Sequence, residues 1–206
     1  MPEPRHVAIL IFEEAEVLDV AGPYEVFSIA GRRSGLEPFR VSLVAETLKP
    51  VSLRNGFVLQ PHATLADLPA VDLLVIPGGY GTRREVDNPQ LIAWIRERAP
   101  KAELVLSVCT GSLLLAKAGL LDGLSATTHY GAIDLLRQLA PKAMVRDRER
   151  FVDNGRVITS AGVSAGIDMA LYVVERLLGE ELADEAATYM EWHRDRSESG
   201  LADEGV

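Results

Sequence analysis

From Leu73 to Ile76 the chain runs Leu-Leu-Val-Ile without a polar residue and then breaks at Pro77-Gly78-Gly79. A strand with one face in water alternates polar and apolar side chains. A short run with no alternation belongs in the middle of a parallel sheet covered on both faces. Leu104 to Val108 nearly repeats the pattern and stops at Cys109, after which Thr110 to Ala116 reads as helix. Two central strands of this kind commit the chain to a sheet flanked by helices on both sides.

The remaining pattern alternates accordingly. His6 to Phe12 reads as a buried strand and Val20 to Ala30 as the helix after it; Arg40 to Ala45 is a second strand. Val51 to Pro61 reads as a hairpin turned at Asn55-Gly56, residue types that accept positive φ. Asp72 to Ile76, Glu103 to Val108 and Val157 to Ser160 are strands, the last closing at Gly162, with Met144 to Asp147 and Phe151 to Asp153 as edge strands. Ala126 to His129 begins a short strand or loop. Helices are expected at Leu91 to Ala99, from Thr110 to near Gly119, and at Ile133 to Leu139, Ile167 to Leu178 and Glu185 to Arg196. The order predicts a doubly wound, mostly parallel α/β sheet in one domain over residues 4–196, with a polar tail over 197–206.

Composition narrows the function. The net charge is −9 with acidic residues spread along the chain, which argues against a nucleic-acid surface. No apolar run reaches the length of a membrane span, and the first residues lack the apolar core of a signal peptide, so a cytoplasmic protein with no membrane partner is expected. A single cysteine among 206 residues excludes an internal disulfide and suits a reducing compartment. The histidines at 6, 62, 129 and 193 have no metal-ligand spacing, so neither a metal nor a cofactor is expected.

In open α/β sheets ligands bind beyond the carboxyl ends of the strands. The residues there are Asp19, Gly78, Gly79, Cys109, Thr110, His129 and the stretch from Ser160 to Gly166. Cys109 sits at a strand-to-helix corner with small residues, Ser107 and Gly111, two positions to either side, which is the pattern of a nucleophile elbow. A thiol over a helix N-terminus is expected to have its pKa lowered from about 8.5; the plainer alternative is a small apolar residue in the core. The amides of Gly79 and Thr110 would make a two-donor oxyanion hole beside Cys109, although Pro77-Gly78-Gly79 reads equally well as a turn. Tyr80, Tyr130, Val163 and Ile167 are candidates to line a pocket or to fill the core, and Trp94 and Trp192 to pack.

Together, Val108-Cys109-Thr110-Gly111, Asp19-Val20-Ala21-Gly22-Pro23, Pro77-Gly78-Gly79, Ala126-Thr127-Thr128-His129 and Thr159 to Asp168 resemble the ThiJ/PfpI superfamily, which is class I glutamine-amidotransferase-like. The resemblance covers almost the whole chain. It is strongest to the branch holding the isonitrile hydratases and the amidase-like domains of AraC-type regulators. It implies a flavodoxin-like fold, a homodimer and a small-molecule substrate, with Cys109 as nucleophile, Asp19 as its acid partner, oxyanion amides at Gly79 and Thr110, and a substrate contact from the Thr110 side chain. Gly78, His129 and Ser164 complete the candidate binding set.

Two departures separate the chain from other branches. Peptidase relatives carry histidine where Thr110 stands, and the glyoxalase and stress-sensor relatives carry glutamate where Asp19 stands. The regulators continue into helix-turn-helix units, whereas this chain is expected to end shortly after its last helix with no DNA-binding domain. The chemistry that suits the residues is isonitrile hydration: sulfur attack on the terminal carbon, a proton from Asp19, and release of an N-substituted formamide by water. Asp19 must then be protonated part of the time, which burial beside a thiolate would achieve; the alternative is that Asp19 caps the following helix, with Pro23 in the first turn. His129 is either a base or water-positioner near Cys109 or, as preferred here, a hydrogen-bonded histidine beneath the pocket. Competing functions are a redox or ligand sensor using Cys109 as a reactive thiol, and a glyoxalase- or deglycase-like enzyme.

Overall fold

The computed structural model describes residues 3–194, so the tail expected over 197–206 lies outside the described residues. In chain order the strands are β1 (Arg5–Leu10), β2 (Phe39–Ala45), β3 (Val51–Ser52), β4 (Val58–Leu59), β5 (Ala63–Thr64), β6 (Leu73–Ile76), β7 (Leu104–Val108), β8 (Ser125–Ala126), β9 (Met144–Val145), β10 (Phe151–Asp153) and β11 (Val157–Ser160). The helices are α1 (Val17–Ile29), α2 (Thr82–Glu85), α3 (Pro89–Arg98), α4 (Gly111–Lys117), α5 (Ile133–Leu139), α6 (Ala165–Leu178) and α7 (Glu180–Tyr189).

The main sheet has the order β10-β11-β7-β6-β1-β2-β5, parallel except for the edge strand β10. Every side chain of β6 and β7 is buried, as their almost wholly apolar runs require. α1, α6 and α7 pack together, and α4 packs with α2, α3 and α5, so both faces are covered. After β1 the chain winds outward to β2 and β5, then returns to the other side of β1 with β6, β7 and β11. The winding reverses between β1 and β6, and doubly wound sheets bind their ligands beyond the carboxyl ends of the strands beside such a reversal. The hairpin forms as expected, β3 pairing antiparallel with β4, with Asn55 and Gly56 at φ of 60° and 80°.

Three elements differ from the expectation. α1 begins at Val17, not Val20, because the Glu16 amide donates to the Gly78 carbonyl and Glu16 takes the N-cap position. Asp19 is therefore inside the first turn and is no cap, and Pro23 lies in the helix interior. Met144–Val145 is not at the edge of the main sheet; it pairs parallel with Ser125–Ala126 in a separate ribbon, fixed by the Met144 amide on the Leu124 carbonyl. The last helix starts five residues early, at Glu180, because Gly179 at φ 96° lets the chain reverse at once after α6. It stops at Tyr189, and Trp192 folds back to donate from its indole to Asp168 (2.8 Å).

Candidate active site

Cys109 stands between β7 and α4 with φ at 56°, a backbone region costing a non-glycine residue of order 1–3 kcal/mol. The surroundings hold it there. Its amide donates to the carbonyls of Ser160 and Ala161 (both 3.1 Å), and its carbonyl accepts from the hydroxyls of Thr128 (2.9 Å) and Ser112 (3.2 Å). Gly111 is required by the same corner, since a Cβ there would lie 2.1 Å from the Ile76 carbonyl oxygen. The β6 turn approaches as closely: a Cβ on Gly78 would meet the Thr110 amide at 2.4 Å, its hydroxyl at 2.7 Å and the Cys109 Cβ at 2.8 Å.

Asp19 reaches the same spot from α1 and is fully buried. Its Oδ2 accepts from the Gly78 amide (3.0 Å), while Oδ1 is buried with no partner in hydrogen-bonding geometry among the described residues. Burial pushes the carboxyl up to about 7; the Gly78 amide opposes that, the Glu16 charge adds to it, and the facing Cys109 side chain and Val163 amide lower it slightly. A carboxyl of this kind holds and releases a proton near neutrality.

The thiol departs from the sequence reading. It is raised, to about 12, first by burial and then by the Asp19 charge, with the Thr110 amide and hydroxyl opposing. At 6% exposure Cys109 is nearly out of water, and α4 spans only seven residues, so the helix end does not offset the lost hydration. The resting pair is thus a thiol beside a carboxyl that exchanges its proton near pH 7, rather than a free thiolate.

The backbone donors are more occupied than expected. The Gly79 amide donates to the Thr110 hydroxyl (3.0 Å) and the Gly78 amide to Asp19, which leaves the Thr110 amide facing the sulfur. Thr82, which sequence reasoning missed, is buried against both: its hydroxyl lies 2.7 Å from the Gly79 carbonyl and 2.9 Å from the Thr110 hydroxyl. Nothing in Tyr80-Gly81-Thr82 marks it, because its role depends on how α2 meets the elbow.

His129 is partly buried; its Nδ1 accepts from the Gly131 amide (3.1 Å), and its ring packs at a tilt of 35° on Tyr130 and against Gly162, where a Cβ would sit 2.3 Å from the ring. It borders the loop after β11 without a hydrogen bond to Cys109 or Asp19. Ser164 takes the N-cap position of α6, its hydroxyl contacted by Arg150 (3.4 Å), which also pairs with Asp168. Tyr80 and Tyr130 are exposed rather than lining a closed pocket; Ile167 is core, packed on Gly22 of α1. Val163 adopts φ 56° beside Asp19. Trp94 packs half-buried and donates to the Leu65 carbonyl (2.9 Å). A cavity of about 340 Å³ at the ends of β1 and β2 includes neither Cys109 nor Asp19 in its lining.

Comparison with known proteins places this geometry. The isonitrile hydratase of Pseudomonas putida is 37% identical over 186 residues, 90% of this chain and 78% of that enzyme. The HTH-type transcriptional regulator GbdR of Pseudomonas aeruginosa is 28% identical over 195 residues, 95% of this chain, which spans about half (53%) of the regulator. Among solved structures, a ThiJ/PfpI family protein from Pseudomonas syringae superposes with a TM-score of 0.84 at 31% identity, over 94% of this chain and 77% of that one. An AraC family transcriptional regulator from Pseudomonas putida shares the fold, with a TM-score of 0.81 at 21% identity over 91% of this chain and 100% of that one. Residues 5–176 match the DJ-1/PfpI family, and by that match and these likenesses the chain belongs to it.

Proposed function

We propose that this protein is a cysteine-dependent hydratase acting on small isonitriles. The observation that carries the reading is the buried Asp19 carboxyl, one oxygen unpartnered, facing the Cys109 side chain with a pKa of about 7. Cys109 Sγ bonds to the terminal isonitrile carbon while Asp19 delivers a proton to that carbon; the thiol proton passes to the Asp19 carboxylate, so the carboxyl is restored. Water then adds to the resulting thioimidate, the C–S bond breaks, sulfur takes back a proton, and an N-substituted formamide leaves. One water is consumed and nothing is oxidised. A carboxyl titrating near neutrality suits both proton transfers, and a buried thiol suits an uncharged substrate, since neither partner needs hydration. The Thr110 amide and hydroxyl are placed to stabilise negative charge on sulfur as it leaves. His129 and Ser164 serve as walls of the substrate site. Likeness to the isonitrile hydratase supports the substrate class.

The test is turnover of a panel of isonitriles and α-oxoaldehydes by wild type and Cys109→Ser. Formamide production that Cys109→Ser loses supports the proposal. Turnover of the oxoaldehydes alone would reassign the chain to glyoxalase-like chemistry. No turnover on any member would favour a ligand sensor, a reading that the likeness to GbdR over 95% of this chain keeps in play. We also propose a homodimer of the domain, to be checked by light scattering against the 22.4 kDa monomer.

A further inference from the structure

Thr82 and Thr110 place two buried hydroxyls 2.9 Å apart beneath the Gly78-Gly79 turn, where the Thr110 hydroxyl and the Cys109 Cβ crowd the same side of Gly78, 2.7 and 2.8 Å from where its Cβ would be. The donors and acceptors around them can be counted. The Gly79 amide donates to the Thr110 oxygen (3.0 Å), which fixes that oxygen as an acceptor and leaves its own proton to be placed. Three acceptors surround that proton: the Cys109 sulfur, the Thr82 oxygen and the Gly79 carbonyl at 3.2 Å. The Thr82 proton has two acceptors, the Gly79 carbonyl at 2.7 Å and the Thr110 oxygen. When sulfur is a neutral thiol, the Thr110 proton is held by Thr82, which in turn donates to the Gly79 carbonyl. When charge builds on sulfur, the Thr110 proton turns to it, and the Thr82 proton turns to fill the vacated place on Thr110. Each hydroxyl keeps its own proton, so the change is a rotation of two O–H bonds with no proton transfer.

We infer that Thr82 is a positioning residue, which orients the Thr110 hydroxyl toward the Cys109 sulfur whenever that sulfur carries negative charge. It does not touch the substrate and acts through Thr110. Without the Thr82 hydroxyl, Thr110 would have only the Gly79 carbonyl as an alternative acceptor, and it would lose the donor that supports it while it faces a thiolate. Linked hydrogen bonds polarise one another, so removing the far member weakens the near one.

The inference rests on Cys109 being the reactive group of the proposed function, but its test does not use an isonitrile. The probe is iodoacetamide alkylation of Cys109, the only thiol in the chain, followed by mass spectrometry across pH. Thr82→Val keeps the shape and removes the hydroxyl. It should alkylate about tenfold more slowly at pH 8, the scale of one hydrogen bond to a charged group, with the alkylation profile displaced to higher pH. Thr82→Ser should restore the wild-type profile, and Thr82→Val should have no further effect on a Thr110→Val background. If Thr82→Val does not fold, Thr82→Ala carries the same comparison. Wild-type alkylation by the folded hydroxyl-free variant would overturn the inference, as would an equal loss on the Thr110→Val background. Because alkylation is read directly, a protein that turns over no isonitrile still decides the role of Thr82.

Discussion

His6 and Asp19 are both buried titratable residues close to β1, one at each end of the strand, and their surroundings differ completely. At the amino end, the His6 ring contacts the Ala70 carbonyl (3.1 Å) through Nδ1 and the Ser42 hydroxyl (2.9 Å) through Nε2, while its amide donates to Asp72 (2.7 Å). The carbonyl can only accept, so Nδ1 donates to it, and the Ser42 hydroxyl engages Nε2. At the carboxyl end, Asp19 is equally buried yet has one oxygen without a partner. The Cys109 side chain and the Val163 amide face that carboxyl without a hydrogen bond of good geometry to its free oxygen. The two ends thus contrast a buried polar group whose ring is fully engaged with one at the proposed site that is not.

Breaking the pair at each end should have opposite consequences. The largest effect is expected from Asp19→Asn, which keeps the shape and the Gly78 contact but cannot supply the proton. Isonitrile turnover should drop by at least about a hundredfold, the usual scale of acid–base catalysis. Near-normal turnover would assign the proton to water or His129 and reduce Asp19 to a structural group.

Next in size is the pH dependence of wild type. A general acid must be protonated, so turnover should hold below about pH 7, where Asp19 titrates, and fall above it. A profile that rises through pH 7 would mean the carboxylate is the working form.

Stability should separate the two ends further. The Asp19 carboxyl titrates near 7 in the fold against an ordinary value of 3.8, so the folded chain binds the proton more tightly than the unfolded one. That contribution is complete below pH 3.8 and is lost as pH climbs through the window up to about 7. Asp19→Asn should therefore be more stable than wild type at pH 8, on the order of a few kcal/mol, with the advantage shrinking toward pH 4. Denaturant midpoints at the two pH values would read this directly; a wild type that is the more stable at pH 8 would show that its neighbours stabilise the carboxylate. His6→Ala should do the reverse, orphaning the Ser42 hydroxyl and the Ala70 carbonyl and costing roughly 1–3 kcal/mol. Its turnover per folded molecule should be unchanged.

The parts of this molecule legible in its sequence are those set by near neighbours. The apolar runs of β6 and β7 declared their central places, Asn55-Gly56 declared the hairpin turn, and Ser107 to Gly111 declared the corner at Cys109. The elements misplaced were those whose bounds are fixed by distant partners. α1 starts early because Gly78 binds Glu16, and Met144–Val145 leaves the main sheet because β8 receives it.

The same division runs through the site. Sequence alone determined which candidate groups follow the strands, because the ends of the apolar runs can be read locally; that the winding reverses between β1 and β6 is a fact of the tertiary structure. Only the tertiary structure decided their protonation and their hydrogen-bond partners. The thiol that local pattern would have ionised is kept protonated by burial and by the facing carboxyl, and the Gly79 amide that looked free is taken by Thr110. The physical reason is that a helix end acts within a turn of the chain, whereas desolvation is imposed by everything packed around a group, and that packing is absent until the whole sheet has closed.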